Sequence, residues 1–193
     1  MGDRLKGRRV AFIVANEGVE QVELTSPWQT VKDEGGEPVL VAPKPGKVQA
    51  FNHLDKGDTF PVDTTTQEAS VEQFDGAVLP GGVANPDHLR LDSAAVNLVR
   101  GFLDRGVPVA VICHGPWTVV EADRARGRTL TSWPSLQTDI RNAGGTWVDE
   151  QVHVDTSGPG VLVTSRKPDD LPAFNATLVE AFSGALPAAR KAS

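Results

Sequence analysis

The residues best suited to covalent chemistry lie in VPVAVICHGPW, residues 107–117. This stretch holds Cys113, the only cysteine of the chain, with His114 directly after it. A run of β-branched residues stops at the cysteine and Gly115 and Pro116 follow, so the thiol falls on a turn from a strand into a helix. A side chain on such a turn is pushed out over the sheet edge, the logic of a nucleophile elbow. The sulfur then faces the positive end of the helix that begins near Gly115 and Pro116, and that field favours thiolate over thiol. Gly115 permits close approach or an unusual φ, and Pro116 suits a first helical turn. The competing assignment is a buried structural cysteine, since free cysteines are among the most buried residues. His114 titrates near neutrality and suits a general base if the turn is sharp enough to bring its ring to the sulfur. Otherwise it is placed for a backbone hydrogen bond or for solvation. A second turn, LPGG at residues 79–82, can aim backbone N–H groups at a developing oxyanion. A tight turn explains Gly81 and Gly82 equally well.

Strands and helices must alternate to put these turns at one edge. RVAFIVA (residues 9–15), PVLVA, GAVLP (76–80) and VPVAVI read as buried strands, with shorter ones around RTLT and VLVTS. PWQTVKDEGG (27–36) reads as a helix with Ser26 as N-cap, Pro27 at its first position and Gly35 as its stop. DSAAVNLVRGFLDRG is the clearest helix, capped at Asp92 or Ser93 and ended by Gly106. Phe174, Leu178 and Phe182 mark a final helix by their i, i+4, i+8 spacing. VQAFNHLDKGDTFPVD reads as a hairpin excursion. Continuous apolar strands alternating with helices predict a flavodoxin-like, Rossmann-like α/β sandwich: a mostly parallel sheet with helices on both faces. Ligands bind such folds beyond the C-terminal strand ends, where Cys113 falls. No repeat or linker divides residues 1–193, so one domain is expected, with a core over about 9–183 and frayed termini, PAARKAS included.

Composition narrows the function classes. Lys and Arg total 19 against 25 Asp and Glu, a net charge of −6. That balance, with no basic run interleaved with aromatics, argues against nucleic-acid and membrane-surface binding. No segment has the roughly 18 apolar residues of a membrane span, and the apolar run after the basic N-terminus is too short for a secretion signal. A lone cysteine forms no intrachain disulfide, which suits the cytoplasm. His53 and His88 read as loop residues and His153 as part of a strand; no His spacing suggests a metal site. His53, on the hairpin excursion, is a minor pocket candidate.

AVICHGPW, LPGGVANPDHLR, RGRTLTSWPSL, NAGGTWVDE and VTSRKPDDLPAF, in this order, resemble the ThiJ/PfpI superfamily, class I glutamine amidotransferase-like proteins. The match is to the PfpI-type intracellular protease and deglycase branch and spans roughly residues 9–182. The resemblance implies Cys113 as nucleophile, His114 as the adjacent histidine, and Glu23, in NEGVEQVELTSP, as an acid beside the thiol. It implies the backbone N–H groups of Gly82 and His114 as oxyanion donors. It also places Glu23 in the first turn of a helix containing Pro27, against the capping signal at Ser26. Such proteins dimerise or form rings, in which an acid from a neighbouring subunit orients the histidine; Asp87 occupies the similar position here. Another branch carries its histidine where this chain has Trp133, which is then a pocket wall or ordinary core. No cofactor or metal is implied. The expected activity is glyoxalase or deglycase chemistry on reactive dicarbonyls or glycated protein, peptide or small-molecule substrates, in a cytoplasmic stress response. The alternatives are a cysteine peptidase, and a non-enzymatic sensor or chaperone working through Cys113 oxidation. A sulfenate formed here has no second cysteine with which to close an intrachain disulfide.

Overall fold

A computed structural model describes residues 2–186; the tail PAARKAS, expected to fray, lies outside the described residues. In chain order the elements begin β1 (Arg9–Ile13), β2 (Glu17–Glu20), α1 (Gln21–Asp33), β3 (Glu37–Ala42), β4 (Lys47–Asn52) and β5 (Asp55–Pro61). They continue β6 (Thr64–Thr65), β7 (Gly76–Leu79), α2 (Ala84–Leu89), α3 (Ser93–Asp104), β8 (Val109–Ile112) and α4 (Pro116–Glu121). The last are β9 (Thr129–Leu130), α5 (Gln137–Asn142), β10 (Thr146–Trp147), β11 (Val152–Asp155), β12 (Leu162–Ser165) and α6 (Leu171–Ser183).

The main sheet has the order β11-β12-β8-β7-β1-β3-β6, parallel throughout except for β11, which runs antiparallel to β12 at one edge. Side chains alternate faces along a strand, so a strand buried on both sides feeds two cores. In β1, Ala11 and Ile13 join the core under α3, α4 and α5, while Val10 and Phe12 join the core under α1 and α6. This is the flavodoxin-like layering expected from the continuous apolar strands. The chain leaves β1 for β3 on one side and later returns to β7 on the other, so the switch point lies between β1 and β7.

Several local expectations need correction. The first helix starts at Gln21 rather than Pro27, and Pro27 lies inside it. Proline has no N–H to give the Glu23 carbonyl, but burial of Leu24, Pro27 and Val31 against the sheet outweighs that missing bond and the local capping signal at Ser26. Gly35, at φ 81°, follows the helix end as expected. His88 lies in α2 rather than in a loop. Strand β2 has no counterpart among the expected strands; it pairs with β4, and β4 with β5, in a separate three-stranded sheet. The predicted hairpin is therefore β4–β5, with His53 at its exposed tip and the His53 N–H held by Glu20 Oε2 at 3.1 Å. Asp92 caps α3 by accepting from the N–H groups of Ala94 and Ala95.

Candidate active site

Cys113 follows β8 and has φ 63°, a left-handed conformation that a side chain with a Cβ adopts only where the surroundings impose it. Three backbone contacts impose it here. The Cys113 N–H donates to Ser165 O at 3.0 Å, the Cys113 carbonyl accepts from Trp133 N at 2.9 Å, and Gly115 N donates to Ile112 O at 2.9 Å. Gly115 itself has an ordinary φ of −49°. Its lack of a side chain serves close approach, because a Cβ would lie 2.6 Å from Leu79 O. The elbow therefore sits at the C-terminal ends of β7, β8 and β12, beside the switch point.

Glu23, in the first turn of α1, is fully buried (0 % exposed) beside the sulfur. Its Oε2 accepts from Gly81 N at 2.8 Å, and its Oε1 has no hydrogen-bond partner among the described residues. The close approach explains Gly81. A methyl there would fall 2.5 Å from Glu23 Oε2, 2.6 Å from Cys113 Cβ and 2.9 Å from His114 N. Gly82, at φ 84°, presses against β2, where a Cβ would meet Gly18 O at 2.3 Å. The backbone N–H groups of Gly82 and His114 face the sulfur.

Burial pushes the Glu23 carboxyl up to about 8, so it holds its proton at neutral pH. Cys113 is only 7 % exposed. Burial and then the charge of an ionised Glu23 push the thiol up, against the opposing pull of the Gly82 and His114 amides. Burial thus opposes the thiolate that a helix-end field favours. Carboxyl and thiol instead form one coupled unit, in which a proton on Glu23 is what permits charge on sulfur.

His114 is 7 % exposed, with Nδ1 at 3.2 Å from the Cys113 sulfur. Burial lowers it to about 4, leaving a neutral ring at pH 7. The ring stacks on Trp133 (centroids 5.8 Å, interplanar angle 24°) and meets Trp117 edge-on at 5.4 Å. Trp133 is 39 % exposed and lies against one face of the His114 ring. Its segment is fixed by Trp147 Nε1 donating to Ser132 Oγ, which donates to Trp133 O.

The structure brings Cys113, His114, Glu23, Gly81, Gly82 and Trp133 together. Asp87 stands exposed on α2, and within one chain no bond joins it to His114 among the described residues. His53 reaches the area only through its backbone link to Glu20. Among the described residues no group of three or more His, Cys, Asp or Glu side chains is placed to hold a metal. Clefts of about 240 and 250 Å³ lie elsewhere, around Arg9 and Phe74 and around Trp28 and Phe60. Two residues of the site are absent from the sequence-based candidates. Trp117, three positions after His114 and so on the same side of the turn, is readable by spacing. Asn85, a buried amide behind the Gly81–Gly82 turn, carries no periodic or motif signal of its own.

The DJ-1/PfpI family model matches residues 8–181, and the chain belongs to that family. It is 38 % identical over 169 residues to protein/nucleic acid deglycase 2 of Escherichia coli, covering 87 % of this chain and 94 % of that one. It is 39 % identical over 166 residues to deglycase PfpI of Pyrococcus furiosus, covering 86 % and 94 %. A two-domain protein of Anabaena variabilis, with DJ-1/ThiJ/PfpI-like and ferritin-like domains, superposes with a TM-score of 0.83 at 32 % identity. That superposition covers 96 % of this chain and 52 % of the larger one, so this chain spans about half of that protein. No helix among the described residues is long and apolar enough to cross a membrane.

Proposed function

We propose that this chain is a cysteine-dependent deglycase that removes early dicarbonyl adducts from amines and thiols of proteins or small molecules. The observation that carries this reading is Cys113 held at φ 63° with a proton-bearing carboxyl on one side and a neutral imidazole on the other. Two deglycase-named relatives that align over most of the chain support it.

For an aminocarbinol R–NH–CH(OH)–CO–CH₃, the Cys113 thiol attacks the carbinol carbon as Glu23 gives its proton to the departing amine and takes the thiol proton in its place. The C–N bond breaks, a C–S bond forms, and RNH₂ leaves. The carbinol carbon then loses its proton to the neutral His114 ring, and the adjacent carbonyl carbon gains one. The carbinol carbon is oxidised to a thioester while its neighbour is reduced to an alcohol, so no external oxidant is needed. Water cleaves the thioester, returning thiol and lactate. In this reading the Gly82 and His114 amides hold the oxyanion of that cleavage. Free methylglyoxal enters the same sequence by adding the thiol to its aldehyde. A peptidase needs a histidine oriented by an acid, and His114 is held here by two indoles, which sets that alternative behind the deglycase. The lone thiol suits a reducing cytoplasm.

The test incubates the protein with methylglyoxal-treated N-acetyl-lysine or an unmodified peptide. Lactate and free amine should appear from the first, and the second should stay intact. Peptide cleavage without lactate release would reject the deglycase assignment.

A further inference from the structure

We propose that Asn85 is the positioning residue that turns two successive backbone N–H groups into the site, the Gly81 N–H onto Glu23 and the Gly82 N–H onto the Cys113 sulfur. Asn85 is 1 % exposed, and both its amide oxygen and its amide nitrogen are hydrogen-bonded. Asn85 Oδ1 accepts from Ala15 N at 2.7 Å, just beyond β1. Asn85 Nδ2 donates to Pro80 O at 2.9 Å and to Gly81 O at 3.1 Å, just beyond β7.

The consequence follows from peptide geometry. In a planar trans peptide the C=O and the N–H point in opposite directions. Pro80 O and Gly81 N belong to one such unit, and Gly81 O and Gly82 N to the next. An amide that grips both carbonyls from one side therefore sends both N–H groups to the other side. There the Gly81 N–H meets Glu23 Oε2 at 2.8 Å, and the Gly82 N–H faces the sulfur. Glu20 N reinforces the same orientation with a longer bond to Gly81 O at 3.3 Å. Glycines at both positions leave this turn without side-chain restraint, so an external clamp is needed to choose one peptide orientation over its flipped alternative. Asn85 also ties the end of β1 to the end of β7, across the switch point where the site lies.

This inference deepens the deglycase reading and rests on it for turnover, but Cys113 alkylation tests it separately. Asn85→Asp keeps the oxygen that accepts from Ala15 and retains at most one of the two donated bonds; Asn85→Ser shortens the side chain out of reach. Iodoacetamide alkylation of Cys113 is measured at about pH 6, where Glu23 is protonated; Asn85→Ser loosens the clamp without adding a charge, so it is the variant that reads the Gly82 contact. Alkylation is expected to be about tenfold slower in both variants, the effect of losing one amide donor to the charged sulfur. In lactate release kcat should fall about tenfold or more while KM stays near its original value, because an oxyanion donor acts in the transition state. A residue that merely fills space gives the opposite sign, since loosened packing exposes the sulfur and quickens alkylation. Alkylation that is unchanged or faster overturns the proposal. If the wild type releases no lactate, the deglycase assignment fails while the alkylation result still judges Asn85. Should neither variant fold, the unaltered protein decides. Through-hydrogen-bond couplings from Asn85 Nδ2 to the carbonyl carbons of Pro80 and Gly81 support the clamp, and their absence overturns it.

Discussion

Cys113→Ser is expected to lower lactate release from methylglyoxal adducts by about 10³-fold or more, with little change in thermal midpoint. The hydroxyl occupies nearly the same volume at the same backbone, so β8, α4 and the Ser165 and Trp133 contacts to residue 113 persist. Ionisation is what changes. A serine hydroxyl releases its proton far less readily than a thiol, and the neighbouring groups cannot compensate. Glu23 already carries a proton at neutral pH, and His114, lowered to about 4, is a weak base. The Gly82 and His114 amides remain, but they stabilise a charge that no longer forms. A variant that kept activity within tenfold of the wild type would remove Cys113 from the chemistry.

Glu23→Gln is expected to change the pH dependence of stability more than any other single substitution at the site. The Glu23 carboxyl is raised from 4.5 to about 8 by burial. For an acid raised in the folded state, the unfolded chain releases the proton first as pH rises. The stabilising contribution is complete below 4.5 and is lost progressively as pH climbs through about 8. The shift corresponds to about 5 kcal/mol of unfolding free energy over that window. His114 works in the opposite direction below neutrality: its lowered value means that stability falls as pH drops from 6.5 toward 4. The wild type and the variant share that term, so their difference isolates Glu23. Denaturant unfolding at intervals across the range should show Glu23→Gln gaining on the wild type as pH rises. A constant difference would mean that the carboxyl is not held in its neutral form by burial.

Local pattern alone makes much of this molecule legible in its sequence. The β-branched runs of β1, β3, β7 and β8 specify a doubly covered sheet, and Asp92 and Gly106 bound α3 by cap chemistry that needs no tertiary partner. Strand β2 is not legible in this way, because EGVE has no apolar run and exists through backbone pairing with β4. The start of α1 departs from the signal at Pro27 because packing of Leu24 and Val31 overrides capping, a decision made by the core rather than by neighbouring residues. The strand-end positions of Cys113 and Gly82 follow from spacing. The presence of Glu23 beside the thiol comes only from resemblance, since the two are brought together by the sheet order, in which β8 lies two strands from β1 although α1 and Cys113 are far apart in sequence. The protonation of the pair is not legible either. GPW suggests a helix-end field, but the burial that opposes it depends on every element packed around the sulfur. Asn85 reads as one polar residue in ANPDHLR until the fold shows which two carbonyls it grips.

Whether Cys113 and Glu23 hold their protons as one unit is read most directly by the rate of Cys113 alkylation as a function of pH, in the wild type and in Glu23→Gln. In the wild type the rate should rise in two steps, the first near pH 8 where the pair gives up one proton and the remaining one is shared between carboxyl and sulfur. In Glu23→Gln the sulfur titrates alone and the rate should rise once. Superimposable profiles for the two proteins would contradict the coupling, and with it the role of Glu23 in preparing Cys113 for attack.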